Sequence, residues 1–307
     1  MRDGIATPAA AVRAPHWVRA LTKWFDHGEV APHAGPPTAA DRRVEWLRVL
    51  PFIGMHVACL GVFVVGWHPG AVTVAAVLYV VRMFAITGFY HRYFSHRTFR
   101  TGRAAQFLFA LLGASATQRG PLWWAAHHRK HHRHADTELD VHSPRQHGFW
   151  WSHMGWITSA RNFPTDFREV RDLARYPELR WLDRFDIAVP VALAVTLYAI
   201  GGWPWLVWGY FVSTVVLFHC TCFINSLAHR LGRRRYETDD DSRNSLTLAL
   251  ITLGEGWHNN HHRYPGATRQ GFFWWEIDLT YYGLVVLSWL RVIRDRRPVP
   301  RRLLEAA

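Results

Sequence analysis

Two long stretches of this 307-residue chain carry no Asp, Glu, Lys or Arg: Val49 to Val81 and Ile187 to Ala228. In hydrocarbon every backbone N–H and C=O must be satisfied within the segment, which leaves the helix as the available structure for such runs. A helix needs about 20 apolar residues to cross a bilayer, so each run is too long for one crossing and suits two. The first run continues past Arg82 to Tyr90 and is interrupted by Trp67-His68-Pro69-Gly70, and the second by Gly201-Gly202-Trp203-Pro204. Both interruptions are turn signals. The chain is therefore expected to be an all-α integral membrane protein. Its four transmembrane helices, at about 49–66, 71–90, 187–202 and 205–226, form two hairpins.

Charge orients these hairpins. The net charge is +13, and only Lys23 and Lys130 among the basic residues are Lys. Both turns lack Lys and Arg, whereas residues 91–185 and the segment after 229 are rich in Arg. The positive-inside rule then puts the turns outside and the termini in the cytoplasm. It puts the cap (91–185 and 227–295) on the cytoplasmic face of the inner membrane. No nucleic-acid motif accompanies the basic balance, so nucleic acid is not an expected partner. A single domain over 41–300 is expected, with tails at 1–40 and 301–307. The apolar stretches 104–117 and 280–293 are too short to span and suit in-plane or buried helices. The pairs Trp123-Trp124, Trp150-Trp151 and Trp274-Trp275 suit interfacial anchors. Cys59, Cys220 and Cys222 form no CxxC pair and read as buried hydrophobes.

Three histidine boxes lie beside the apolar runs: His91/His96, His128/His131/His132 and His258/His261/His262. Residues three and four apart share a helix face, so each HxxHH box is expected to aim its three rings at one locus. His91 and His96 are five apart and need a helix end or an irregular turn to converge. Asn225 and His229, four apart at the end of the last span, form a further candidate pair. Eight imidazoles exceed the four ligands of a zinc site and suit two ions. Imidazole serves zinc, copper, iron and nickel alike; oxygen chemistry would favour iron. The other eleven histidines, among them His27, His56, His127, His142, His153 and His219, read as ordinary surface or core residues.

From about residue 45 to 295 the chain resembles the membrane fatty-acyl desaturases of the stearoyl-CoA (delta-9) type. The resemblance rests on GFYHRYFSHR (88–97), WWAAHHRKHH (123–132), SHMGW (152–156), NSLAH (225–229) and GEGWHNNHH (254–262). It implies four membrane helices under a cytosolic helical cap holding two iron ions. The implied ligands are His91, His96, His128, His131, His132, His229, His258, His261 and His262, with Asn225 acting through a water. Gln118 and Trp124 would line the bend of an acyl tunnel. The implied reaction uses O2 and two external electrons to insert a cis double bond near carbon 9 of a saturated C16–C18 chain. Asp136, Glu138, Asp140 and Glu255 are candidate hydrogen-bond partners of the ligand rings, or else solvated loop acids.

The vertebrate acyl-CoA enzymes have Arg-Asp before the second box, where this chain has Ala126-His127. Arg161 sits near their other basic CoA contact, one residue out of register. The expected donor is an acyl-CoA, with acyl carrier protein and an intact lipid as the other carriers. Electrons are expected from a separate ferredoxin, flavodoxin or reductase. The boxes alone do not separate desaturation from hydroxylation or ketolation by a similar di-iron enzyme. A metal carrier or transporter would need ionisable residues along its spans. The first, third and fourth spans offer only His56 and His219.

Overall fold

The computed structural model describes residues 15–28 and 38–305. Among the described residues, three helices are long and apolar enough to cross a membrane: Trp46–Val65, Pro69–Ser95 and Ala188–Ser226. The third, 39 residues long, is broken at Gly202. There φ is 60° and ψ is −153°, a backbone conformation that only glycine adopts without strain. The two halves pack against each other. Leu197 from one half and Val74 from the helix Pro69–Ser95 close on Gly209, where a Cβ would stand 3.5 and 3.2 Å from them. Two shorter apolar helices, Arg103–Ala114 and Leu279–Trp289, fall where the sequence places non-spanning segments. Residues Arg100–Thr101 pair antiparallel with Ile293–Arg294 and tie the segment after the first box to the end of the chain.

Polar side chains fix how the apolar helices meet. Arg82, fully buried, donates to Thr214 Oγ1 (2.7 Å), to Ser213 Oγ and to Ser115 O (3.3 Å). His56 and His219 join the first apolar helix to the last (Nε2 to Nε2, 3.1 Å), and His219 Nδ1 meets His153 Nε2 at 2.9 Å. His56 Nδ1–H donates to Phe52 O (2.8 Å), and His153 Nδ1 meets Ser226 Oγ at 3.0 Å. With all three rings neutral, each ring donates once and the chain is satisfied.

Three expectations need revising. Within the stretch expected to be a tail, His16–Thr22 is helical and the turn after it is docked. Trp24 Nε1 donates to Leu47 O (2.9 Å), Asp26 pairs with Arg184 (2.8 Å), and His27 pairs with Asp186 (2.7 Å). These are polar contacts, which apolar periodicity does not reveal. The rest of that stretch, 1–14 and 29–37, lies outside the described residues. At the other end, Arg301–Glu305 is a helix with Leu303 buried and its carbonyl accepting from Tyr236 Oη at 2.7 Å. Trp123 is no interfacial anchor: it is buried, stacked on Trp156 at 5.5 Å, with Nε1 donating to Asn162 O. Trp150 and Trp274 are 72% and 80% exposed, as anchors would be.

His219→Leu leaves facing ring nitrogens of His56 and His153 without a partner, at a cost of about 1–3 kcal/mol. Thermal unfolding in detergent should show a lowered midpoint, partly restored by His219→Gln. An unchanged midpoint in His219→Leu would show that the chain adds nothing to helix packing.

Candidate metal centre

The first box solves its spacing by a change of winding. The last eleven residues of the second apolar helix, Ala85–Ser95, form a π-helix. Its repeat closes residues five apart, and His96 N donates to His91 O at 3.2 Å. The rings of His91 and His96 thereby come to 5.0 Å between centroids. Arg92, the next residue, turns behind the His91 ring, where Glu255 contacts both side chains. Arg92 there forms a fork with Asp278 (2.9 and 3.0 Å) and reaches Glu255 (3.1 Å).

The second box rides on the helix Pro121–His134. Asp183, from the helix Pro177–Arg184, caps it: Oδ1 accepts from Leu122 N (3.0 Å) and Trp123 N (2.7 Å). Gly120 permits this approach, since a Cβ there would lie 2.4 Å from the Asp183 backbone. The third box is the short helix His258–Arg263. Its two asparagines act as clamps. Asn259 Oδ1 accepts from Arg235 N and Tyr236 N (both 2.8 Å), and Asn260 Nδ2 donates to Glu276 (2.8 Å).

The nine histidines gather into two groups of potential ligands, His91/His96/His128/His132/His261 and His131/His229/His258/His262. This corrects the expectation that each HxxHH box serves one locus. On a helix at 3.6 residues per turn, positions i and i+4 nearly overlay while i+3 falls on their other flank. His128 and His132 therefore share the first group and His131 turns to the second. The third box divides in mirror fashion, His258 and His262 to the second group and His261 to the first. Within the first group Nε2 atoms approach at 2.9 Å (His91–His261), 2.8 Å (His96–His128) and 2.9 Å (His132–His261). In the second, His229 and His258 approach at 3.1 Å.

Carboxylates hold the rear edges of several rings. Asp140 meets His131 Nδ1 (2.9 Å), Asp136 meets His229 Nδ1 (2.8 Å), and Glu255 meets His91 Nδ1. Asp240, missed in the sequence, meets His262 Nδ1 at 2.7 Å. Gln270, also missed, stands 3.3 Å from His91 Nδ1 and 3.4 Å from His261 Nδ1. Glu138 is not among these partners: it is exposed, with no hydrogen bond to a histidine among the described residues. His142, set aside in the sequence, packs 4.5 Å from His131 and 3.5 Å from Asp140.

The electrostatics suit metal binding. Burial, then neighbouring imidazoles, pushes His128, His132, His258 and His261 well below the usual imidazole range, so they keep lone pairs free. Burial also lowers His262, to about 4, against the pull of Asp240. For His131 burial acts the same way, but Asp140 outweighs it and the ring is raised. Burial would raise Asp136, Asp140 and Asp240; their histidine partners outweigh it and hold these carboxyls low. His262 Nε2 is buried without a hydrogen-bond partner while its Nδ1 is held by Asp240. Such an orphaned nitrogen in a ring of imidazoles is what a metal ion would satisfy. The residues fit two ions, one in each group.

An apolar cavity of about 330 Å³ reaches the first group, and a smaller one of about 40 Å³ reaches both. Trp124, His128, Thr221 and Asn225 line both cavities, so the two meet beside the histidines. Gln118 lines the larger and donates to Thr221 Oγ1 (3.0 Å), a partner the sequence reading missed. Arg161 does not line either cavity: its guanidinium pairs with Asp41 at 3.0 Å. His127 does line the larger, packed against Trp123 at 4.3 Å and Trp156 at 5.6 Å.

Asp240→Asn keeps the shape but removes the charge behind His262. Loss of such a partner typically weakens metal affinity about 10–100-fold. Metal retained against a chelator should fall accordingly, and equal retention would remove Asp240 from the support of the site. Asp183→Ala should cost about 1–2 kcal/mol by uncapping the second-box helix. Burial raises Asp183 from 3.8 to about 6, so the folded state binds that proton more tightly. Its contribution to stability is therefore full below about pH 4 and declines as pH rises to about 6. The difference between wild type and Asp183→Asn should follow that slope in melting measurements, and a flat difference contradicts it.

Known proteins are similar to this chain over most of its length. The profile of the fatty acid desaturase family matches residues 65–288. The chain is 38% identical to an sn-2 palmitoyl-lipid 9-desaturase of Nostoc sp. (strain 36), over 86% of this chain and 92% of that one. It is 38% identical to an sn-1 stearoyl-lipid 9-desaturase of Anabaena variabilis, over 82% and 93% respectively. It is 36% identical to an acyl-CoA 5-desaturase of Anemone leveillei, over 83% of each. A family profile covering most of the chain, relatives aligned over more than four fifths of it, and two buried histidine groups beside an apolar cavity give one conclusion: the chain belongs to the fatty acid desaturase family.

Proposed function

We propose that this protein is an O2-dependent desaturase that inserts a cis double bond at the delta-9 position of saturated C16–C18 chains carried on a membrane lipid. The observation that carries this reading is the meeting of the two cavities at Trp124, His128, Thr221 and Asn225. Methylenes are chemically alike, so only position can choose one pair. A chain threaded through both cavities would bend at the Gln118–Thr221 contact and Trp124, with the bend beside the two histidine groups.

Two iron ions, one in His91/His96/His128/His132/His261 and one in His131/His229/His258/His262, would supply the O2-dependent oxidising power when bound. Asn225, which lines both cavities, would hold a water at the centre. The carboxylates behind His91, His131, His229 and His262 orient those rings, and the apolar walls exclude bulk water from the reacting carbons. Two electrons per turnover would come from a separate ferredoxin, flavodoxin or reductase. The break at Gly202 and the arginine distribution support four crossings of the inner membrane, with the histidine groups and both termini cytoplasmic.

The carrier shifts from the acyl-CoA expected in the sequence to an acyl lipid. Two of the relatives are named for lipid-linked chains, and one for acyl-CoA. Where vertebrate acyl-CoA enzymes have Arg-Asp, Ala126 is buried and His127 packs on tryptophans. Arg161 is engaged with Asp41.

The test is expression in a host lacking unsaturated C16–C18 chains, together with electron donors, and location of double bonds by mass spectrometry. Delta-9 monoenes are expected on lipid. Hydroxylated or keto chains would instead favour a di-iron hydroxylase or ketolase. His261→Ala should abolish product while membrane insertion persists, and turnover in that variant would remove His261 from the ligands.

A further inference from the structure

One part of the larger cavity's wall is not apolar. Lys23, His27, Arg48, Arg119 and Asp186 line it together with Phe163. Arg48 lies over the Phe163 ring, 3.8 Å from its centroid, and gives Nη2 to His27 Nδ1 at 2.5 Å. His27 passes its Nε2–H to Asp186 Oδ1 (2.7 Å), and Arg119 Nε donates to Asp186 Oδ2 (2.7 Å). Arg119 also donates to Phe163 O at 3.1 Å. Asp186 is thus shared between His27 and Arg119, and Arg48 has no ion pair among the described residues. On the wall of an apolar cavity, Arg48 and Arg119 thus stand beside one carboxylate.

Such an excess of positive charge costs desolvation unless an anion arrives to meet it. A neutral sugar headgroup offers no such partner. A phosphodiester does: its oxygens suit the planar guanidinium fork. Depth and spacing point the same way. Arg48 stands near the start of the helix Trp46–Val65, and Asp186 just before Ala188–Ser226. These helix ends mark the level of lipid headgroups. In a glycerophospholipid the phosphate is only a few bonds from the acyl esters, whereas in acyl-CoA the whole pantetheine arm intervenes. Cations on the wall of the acyl cavity itself match the first arrangement.

We propose that Arg48 and Arg119 form a site for the phosphate of a glycerophospholipid whose acyl chain occupies the larger cavity. The proposal rests on the desaturase reading for what happens to that chain, but not for the binding itself. Part of the wall beside the site comes from the docked N-terminal turn: Lys23 and His27 reach the cavity because Trp24 and Asp26 are anchored to Leu47 and Arg184.

The experiment is native mass spectrometry of the whole protein in mixed micelles of dipalmitoyl phosphatidylglycerol and dipalmitoyl monogalactosyldiacylglycerol, with stearoyl-CoA and inorganic phosphate as separate arms. Retention of phosphatidylglycerol over the galactolipid by about tenfold or more is expected, equivalent to at least about 1.4 kcal/mol. R48Q/R119Q should lose that preference and R48K/R119K should keep most of it. With the iron-loaded, reduced enzyme, R48Q/R119Q should raise KM for the phospholipid more than it lowers kcat. Equal retention of the two lipids, or a preference unchanged in R48Q/R119Q, overturns the proposal. So does stearoyl-CoA or inorganic phosphate displacing phosphatidylglycerol at equal concentration. Selective phospholipid binding without any desaturation would uphold the site and count against the proposed function instead.

Discussion

The metal centre depends on holding buried imidazoles oriented and close together. A charged ring in an apolar interior is costly, and a neutral ring offers one donor and one acceptor. The protein fixes which edge does what by placing an acceptor behind several of the rings. Asp136, Asp140, Asp240 and Glu255 occupy the rear nitrogens of His229, His131, His262 and His91. The front nitrogens then converge. Bringing so many lone pairs together is unfavourable without a cation between them, so the arrangement is one that a metal completes.

The apolar helices serve that arrangement. Within a bilayer they cannot rely on the hydrophobic effect to choose partners, so polar contacts choose for them. Arg82 joins the second apolar helix to the third, and the His56–His219–His153 chain joins the first and third to the cap segment. The second apolar helix then delivers His91 straight into the centre through its π-wound end. Positioning, ligation and the wall of the cavity are thus functions of the same few helices.

Much of this was legible in the sequence. Charge-free runs located the apolar helices, and the histidine spacing singled out all nine rings of the two groups together with the NxxxH motif. The need for an irregular turn between His91 and His96 was visible, because five residues do not close an α-helical turn. How the boxes divide was not: spacing places three rings on one face but does not say that two loci stand beside it. Asp240, Gln270 and Thr221 were missed because their partners are distant in sequence and no local pattern marks them. The Asp41 that pairs with Arg161 is likewise distant in sequence and marked by no local pattern. The docking of Trp24 and His27 was hidden in a segment whose composition gave no periodic signal.

The central claim is that the two histidine groups each hold one iron beside a shared acyl path. A crystallographic measurement of anomalous scattering at the iron edge, on protein purified from iron-replete cells, addresses it directly. Two peaks are predicted, one within bonding distance of His91, His96, His128, His132 and His261, the other of His131, His229, His258 and His262. A single peak, or scattering that belongs to zinc alone, would contradict the account.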